Sequence, residues 1–196
     1  IQTVASRYSG QLIAWDVVNE AILDGVKLPE NGDWKQCLRQ GAWYQAIGDD
    51  YIELAFQFAH EADPEARLYY NDYNLNDQNK AEIVAAMFKD LKSRGIPVDG
   101  IGMQSHYNVN LASAAVERSI ELFEEAGAEI SVTELDVTVN GASSSGLTEE
   151  QEIAQAQVYA ELFQIYREHA DSIARVTFWG IDDAHSWRSE SFPCLF

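Results

Sequence analysis

Basic residues are scarce in this chain. Thirteen lysines and arginines face 32 aspartates and glutamates over 196 residues, for a formal net charge of −19 at neutral pH. That balance excludes nucleic acid as a partner, because phosphate binding needs clustered Lys and Arg. It also sets the protein against an anionic membrane surface, and leaves a neutral polymer such as a polysaccharide as a compatible ligand. Cysteine is scarcer still. Cys37 and Cys194 stand alone in sequence, as two isolated thiols, and supply neither a disulfide framework nor a CxxC metal site. No apolar run is long enough to span a bilayer. No secretory leader is visible, and the chain reads as beginning in the middle of a domain. The histidines at 60, 106, 169 and 185 show no HExxH or paired spacing, so no metal is expected. GxSxG is absent, which argues against a serine hydrolase. So are GxGxxG and the P-loop, which argues against a nucleotide site. There is no tandem repeat and no interdomain linker.

What is present suits one folded domain: 46% of residues are hydrophobic and 23% charged. The pattern alternates strand and helix. LIAWDVV at 12–18 reads as a buried strand that ends at Asn19 and Glu20. Residues 50–62 read as a helix with Asp50 and Glu53 as a capping box and Ile52, Ala55, Phe56 and Ala59 on one face. Residues 68–70 form a short strand leading into Asn71. Asp77 caps a helix whose apolar face is Ile83, Val84, Met87, Phe88 and Leu91, stopped by Gly95 and Pro97. Residues 100–105 form the third strand, with His106 at its end. Residues 113–125 are helical, with Val116, Ile120 and Phe123 on one side. Residues 130–135 form the fourth strand, NGASSSG at 140–146 a flexible loop, and Thr148 with Gln151 the start of the longest helix, to about Ala170. Residues 176–180 form the fifth strand. His60 and His169 fall on helices and read as surface groups.

Alternating β and α units imply parallel strands with helices outside, as an open doubly wound sheet or a barrel. The polar residues of interest gather where strands run out, at Glu20, Asn71, His106, Glu134 and around Trp179, and in a (β/α)8 barrel those C-terminal ends form the active face. Glu20 and Glu134, each closing a strand and pointing into one cleft, are the residue types that glycoside hydrolysis requires. One carboxyl donates a proton to the leaving oxygen and the other attacks the sugar carbon or activates water. Two unrelated solvated glutamates remain the alternative in so acidic a chain. Asn19 can reach a sugar hydroxyl and His106 can orient a carboxylate. Trp179 and Trp187 offer aromatic faces, whereas Trp15, inside an apolar strand, reads as core.

WDVVNEAI at 15–22 resembles the acid/base segment of family 10 glycoside hydrolases, the retaining endo-β-1,4-xylanases. YYNDYN at 69–74, GIGMQSH at 100–106, VTELDV at 132–137 and TFWGIDDAHSW at 177–187 follow in the order of that family. The resemblance covers nearly the whole chain and implies a (β/α)8 barrel of which this chain supplies about strands 4 to 8. It implies Glu20 as acid/base and Glu134 as the nucleophile that forms a glycosyl-enzyme intermediate. It further implies that Asn19 binds the sugar beside the cut, that His106 and Asp136 form the network around the nucleophile, and that Asn71 and Gln104 line the cleft. Trp179 and Trp187 would wall the sugar site, and Asp16 would support the acid/base strand from behind. Xylan and xylo-oligosaccharides are the implied substrates, no cofactor is implied, and secretion is expected because xylan lies outside cells.

A complete (β/α)8 barrel takes about 250 residues. The chain therefore reads, over residues 1–196, as the C-terminal portion of the catalytic domain, without strands 1–3 and the last helix. Open strands are expected to leave two bare edges and an exposed apolar inner face, completed by a missing N-terminal segment or a second chain. Two other readings stay open: a β-1,4-glucanase on the same scaffold, and an inactive fragment that only binds xylan.

Overall fold

The computed structural model describes residues 1–142 and 146–195. Its strands are β1 (Ala14–Asn19), β2 (Arg67–Asp72), β3 (Gly100–Met103), β4 (His106–Asn108), β5 (Glu129–Thr138) and β6 (Ile173–Phe178). The helices are α1 (Gln2–Arg7), α2 (Ala42–Ile47), α3 (Tyr51–Ala62), α4 (Gln78–Ser93), α5 (Ser113–Glu125) and α6 (Glu149–Glu168). Every strand pair is parallel, in the order β1, β2, β3, β5, with β6 on the far side of β5.

The apolar stripes read from the sequence fold as expected. Every predicted face residue of α3, α4 and α5 is buried. Asp77 caps α4 by accepting from the Asn79 amide, and Thr148 with Gln151 closes a reciprocal capping box on α6. Asp50 does not cap α3. Lys35 takes its carboxylate at 2.8 Å, and Glu53 pairs with both Lys35 and Arg94, so ion pairing outcompetes the backbone amides. His169 is not a free surface group either: it ends α6 half-buried, with Nδ1 2.8 Å from Glu124. Cys37 and Cys194 are both free thiols. Trp15 is half-buried against the core, its indole N–H donating to Asp63 at 2.9 Å. The expected loop at 140–146 falls partly on residues 143–145, which lie outside the described residues. Among the described residues, no helix is long and apolar enough to cross a membrane.

The third predicted strand is two. Ser105 sits at φ +64°, a left-handed conformation that interrupts the strand after Met103. The ladder bridges the gap, with Glu134 N donating to Gln104 O and Asp136 N to Ser105 O, and β4 then pairs with the second half of β5. β5 consequently runs three residues past its predicted end.

Strand positions alternate between two environments. Leu68, Tyr70, Ile101, Met103, Ile130 and Val132 join the helices in the core. The intervening positions carry Tyr69, Asn71, Gly100, Gly102, Glu129 and Ser131, so the inner face is polar, contrary to expectation. Tyr69 Oη donates to Glu129, the Arg175 guanidinium lies over the Tyr69 ring, and Arg175 Nε donates to Ser131 at 3.0 Å. β3 contributes only glycine to this face. A Cβ on Gly100 would collide with Glu129 O and the Tyr69 ring, and one on Gly102 with Asn71 Oδ1. Exposed apolar surface lies at the flanks. A groove of about 570 Å³ beside β1 is lined by residues including Val17, Trp43, Ile47, Tyr51 and Phe58. On the β6 side Phe178 and Ile181 are exposed.

Candidate active site

The ends of β1, β2, β3 and β5 deliver their polar side chains to one place. β1 terminates at Asn19, and Glu20 follows at φ +56°, an uncommon backbone for a residue other than glycine. Its amide donates to Asn71 O at 2.9 Å, which fixes the turn to β2. Gln104, at the break between β3 and β4, donates from Nε2 to Glu20 Oε1 at 2.9 Å and to Asn19 Oδ1 at 3.1 Å. Asn71, buried in β2, donates from Nδ2 to Asn19 Oδ1 and to Glu134 Oε1, both at 2.9 Å, while its own Oδ1 accepts from Thr133 at 2.7 Å. One continuous chain of hydrogen bonds thus joins Glu20, Gln104, Asn19, Asn71 and Glu134.

The other oxygen of Glu134 meets His106, whose Nε2 lies 3.2 Å from Oε2. His106 Nδ1 stands 3.0 Å from Oδ2 of the fully buried Asp136. The same oxygen of Asp136 accepts the Trp187 indole N–H at 2.9 Å, and the Trp187 ring meets the imidazole edge-on at 5.0 Å. Burial alone would push the His106 pKa down, but the carboxylates of Asp136 and Glu134 outweigh it and raise it.

Eight of the ten residues singled out from the sequence meet in this network. Trp179 lies at its margin, just past β6, with a half-exposed ring and its amide tied to Leu135 O at 3.0 Å. Asp16 stands on the inner face of β1. Among the described residues its carboxylate makes no hydrogen bond, so the expected support from behind is not a direct side-chain contact. Desolvation by the protein on its inner side raises its pKa, Arg175 opposes the rise and Glu134 adds to it. Both glutamates were expected to close buried strands. Glu134 lies within one, but β1 is an edge strand on which, among its residues, only Val18 is buried.

Three contributors went unnoticed in the sequence: Tyr70, Asp72 and Lys80. Lys80 is 1% exposed, with Nζ 2.9 Å from both Asp72 and Asp24. The available signal was a lysine one helical turn before Val84, on the apolar stripe of α4. Among the described residues no group of His, Cys, Asp and Glu side chains is arranged to hold a metal ion.

Comparison with known proteins places this geometry. Glycosyl hydrolase family 10 matches residues 1–196. The endo-1,4-beta-xylanase A of Thermotoga maritima is 43% identical over 203 residues, covering 100% of this chain and 18% of that protein. The endo-1,4-beta-xylanase of Geobacillus stearothermophilus is 41% identical over 199 residues, covering 98% and 58%. Among solved structures, a family 10 endoxylanase from a sugarcane soil metagenome superimposes with TM-score 0.89 at 34% identity, covering 100% of this chain and 60% of that one. A mutant in complex with xylotriose does so with TM-score 0.89 at 36% identity, covering 100% and 61%. This chain therefore spans less than two thirds of the length of these relatives, and its parallel sheet is part of a (β/α)8 barrel. The chain belongs to glycosyl hydrolase family 10.

Proposed function

We propose that the complete barrel containing this chain is an endo-β-1,4-xylanase that cuts internal xylan linkages with retention of configuration. One observation carries the reading: the unbroken hydrogen-bond chain from Glu20 through Gln104, Asn19 and Asn71 to Glu134. It sets two carboxyls in fixed relation at the same end of a parallel barrel, where such folds do their chemistry. Glu134, anchored by Asn71 and His106, attacks the anomeric carbon. Glu20 gives its proton to the departing oxygen. Water, deprotonated by Glu20, then displaces Glu134 and restores both groups. Asn19 meets a hydroxyl of the bound sugar, and Trp179 and Trp187 present aromatic faces to the rings. The net charge of −19 suits a neutral polymer.

The groove beside β1 and the apolar residues beyond β6 are the surfaces on which we place the remainder of the barrel. A secreted enzyme fits an extracellular polymer. The test is hydrolysis of xylan against soluble cellulose by the complete barrel, with Glu134→Ala and Glu20→Ala as controls. The anomeric proton of the first product, followed by NMR, reports the stereochemistry. Xylan cleavage with a β-anomer formed first is the expected outcome. Inversion would overturn the double displacement, and faster cleavage of cellulose would make the protein a β-1,4-glucanase. Binding without turnover by the isolated 196-residue chain would make that piece a carbohydrate-binding fragment.

A further inference from the structure

Behind the site lies a buried polar relay that the chemistry above does not use. It begins on α4 with Lys80, whose Nζ lies 2.9 Å from Asp72 Oδ1 and 4.0 Å from the centroid of the Tyr73 ring. The Tyr73 amide donates to the same Asp72 oxygen at 2.9 Å. The other oxygen of Asp72 accepts the Tyr70 hydroxyl. Tyr70 is fully buried, and its Oη accepts two backbone amides, Ala21 N at 3.0 Å and Ile22 N at 3.2 Å. A phenol offers one proton and two lone pairs, and all three are engaged.

Those two amides immediately follow Glu20. The Glu20 amide is itself held by Asn71 O, so three consecutive amides, at 20, 21 and 22, are fixed from β2. Glu20 lies in the left-handed region at φ +56°, a conformation that persists only when its surroundings impose it. The backbone angle sets where the side chain points, and an ångström of error at a reacting group is enough to cost about a hundredfold in rate. Asp72 has a defined part in this. By accepting the phenol proton it turns both lone pairs toward the amides, and Lys80 supplies the positive charge that keeps the buried carboxylate in place.

We propose that Tyr70, oriented by Asp72 and Lys80, is a positioning residue that aims the Glu20 carboxyl at the leaving oxygen. This rests on Glu20 being the general acid. The relay touches no substrate; it acts through the backbone of Ala21 and Ile22. Loss of the phenol oxygen weakens proton donation and spares the attack by Glu134, whose own hydrogen bonds run to Asn71 and His106 and not to the phenol.

The experiment compares kcat/KM for 2,4-dinitrophenyl and phenyl β-xylobioside in the complete enzyme and in its Tyr70→Phe variant. Dinitrophenolate departs without protonation, whereas phenolate needs the acid. The expected result is a loss of about tenfold or more on the phenyl substrate and less than about twofold on the dinitrophenyl one. Equal losses, or none, would overturn the proposal, because a purely structural role does not distinguish leaving groups. Glu20→Ala is measured alongside. If it shows no leaving-group selectivity, the acid assignment has failed. If it is selective and Tyr70→Phe is not, only the positioning role has failed. Should Tyr70→Phe not fold, Asp72→Asn keeps the shape and is read in the same way. Failure of both to fold would mark the relay as architecture alone and overturn the proposal.

Discussion

The two carboxyls of the candidate site stand on strands of very different quality. Glu134 lies within β5, the longest strand, paired with β3 and β4 on one side and β6 on the other and buried over most of its length. Glu20 follows β1, an edge strand paired only with β2 and half-exposed along its run. β5 holds its glutamate by ordinary sheet architecture, with His106 reaching from the adjacent β4 and Asn71 from β2 across β3. β1 is paired on one side only among the described residues, and the turn after it is held from β2 by backbone and phenol bonds. Within this chain, Glu134 is carried by a strand paired on both sides, and the turn bearing Glu20 is anchored from β2; the other side of β1 borders the groove on which we place the rest of the barrel.

The strongest way to break this comparison is to remove each carboxyl. Glu134→Ala should lower kcat/KM on xylan by at least about 10⁴-fold, since no covalent step remains. Glu20→Ala should lower it by about 10²- to 10⁴-fold, the range of one general acid. Equal effects would mean the two groups do not have separate roles. Next in size is packing. Ile130→Ala in β5 should cost about 2–5 kcal/mol in denaturant unfolding, because the side chain is fully buried. In the isolated 196-residue chain, Val17→Ala in β1 should cost under about 1 kcal/mol, since Val17 is only partly buried there. Comparable costs would show that β1 is not the weaker strand.

Smaller still is Gln104→Ala, which removes the only hydrogen bond from another side chain to Glu20 among the described residues. About a tenfold loss in kcat/KM is expected, with the unfolding midpoint nearly unchanged. The smallest effects come from pH, and their signs oppose. In the turn after β1, burial would raise the Asp24 pKa, but Tyr73, Lys80 and Arg39 outweigh it and bring it to about 2. Its stabilisation is therefore complete above about pH 4 and lost as pH falls toward that value. At β5, the raised His106 pKa means that its stabilisation is complete below about pH 6.5 and lost as pH rises through the folded-state value. Melting temperature against pH should lose its acid limb dependence in part in Asp24→Asn, and its decline above neutrality in part in His106→Gln. The reverse assignment would sink the argument.

Much of this was legible in the sequence, for identifiable reasons. Apolar residues at helical spacing have one way to be buried, so α3, α4 and α5 were readable with their faces. Glu20, Asn71, His106 and Glu134 stand out as polar residues after apolar strands, and the order of the five motifs tied them together. Other features depend on competition between distant residues. Asp50 has the right spacing for a cap, but only the fold brings Lys35 to it. Lys80 reads as a solvated lysine until Asp72 and Asp24 are seen around it. The break at Ser105 is one dihedral angle, with no compositional mark. The polar inner face was hidden because Tyr69, Glu129, Ser131 and Arg175 come from three strands that only the fold brings together.

The two glycines of β3 give the molecule a remote tuning point. Gly102 leaves the room through which Asn71 passes to reach Glu134, so the setting of that carboxylate depends partly on an atom that is missing. An added methyl would turn Asn71 aside and loosen its hold on Glu134 while every side chain of the hydrogen-bond network kept its identity. For anyone adjusting this site, the dial lies in the empty space over β3 as much as in the side chains around it.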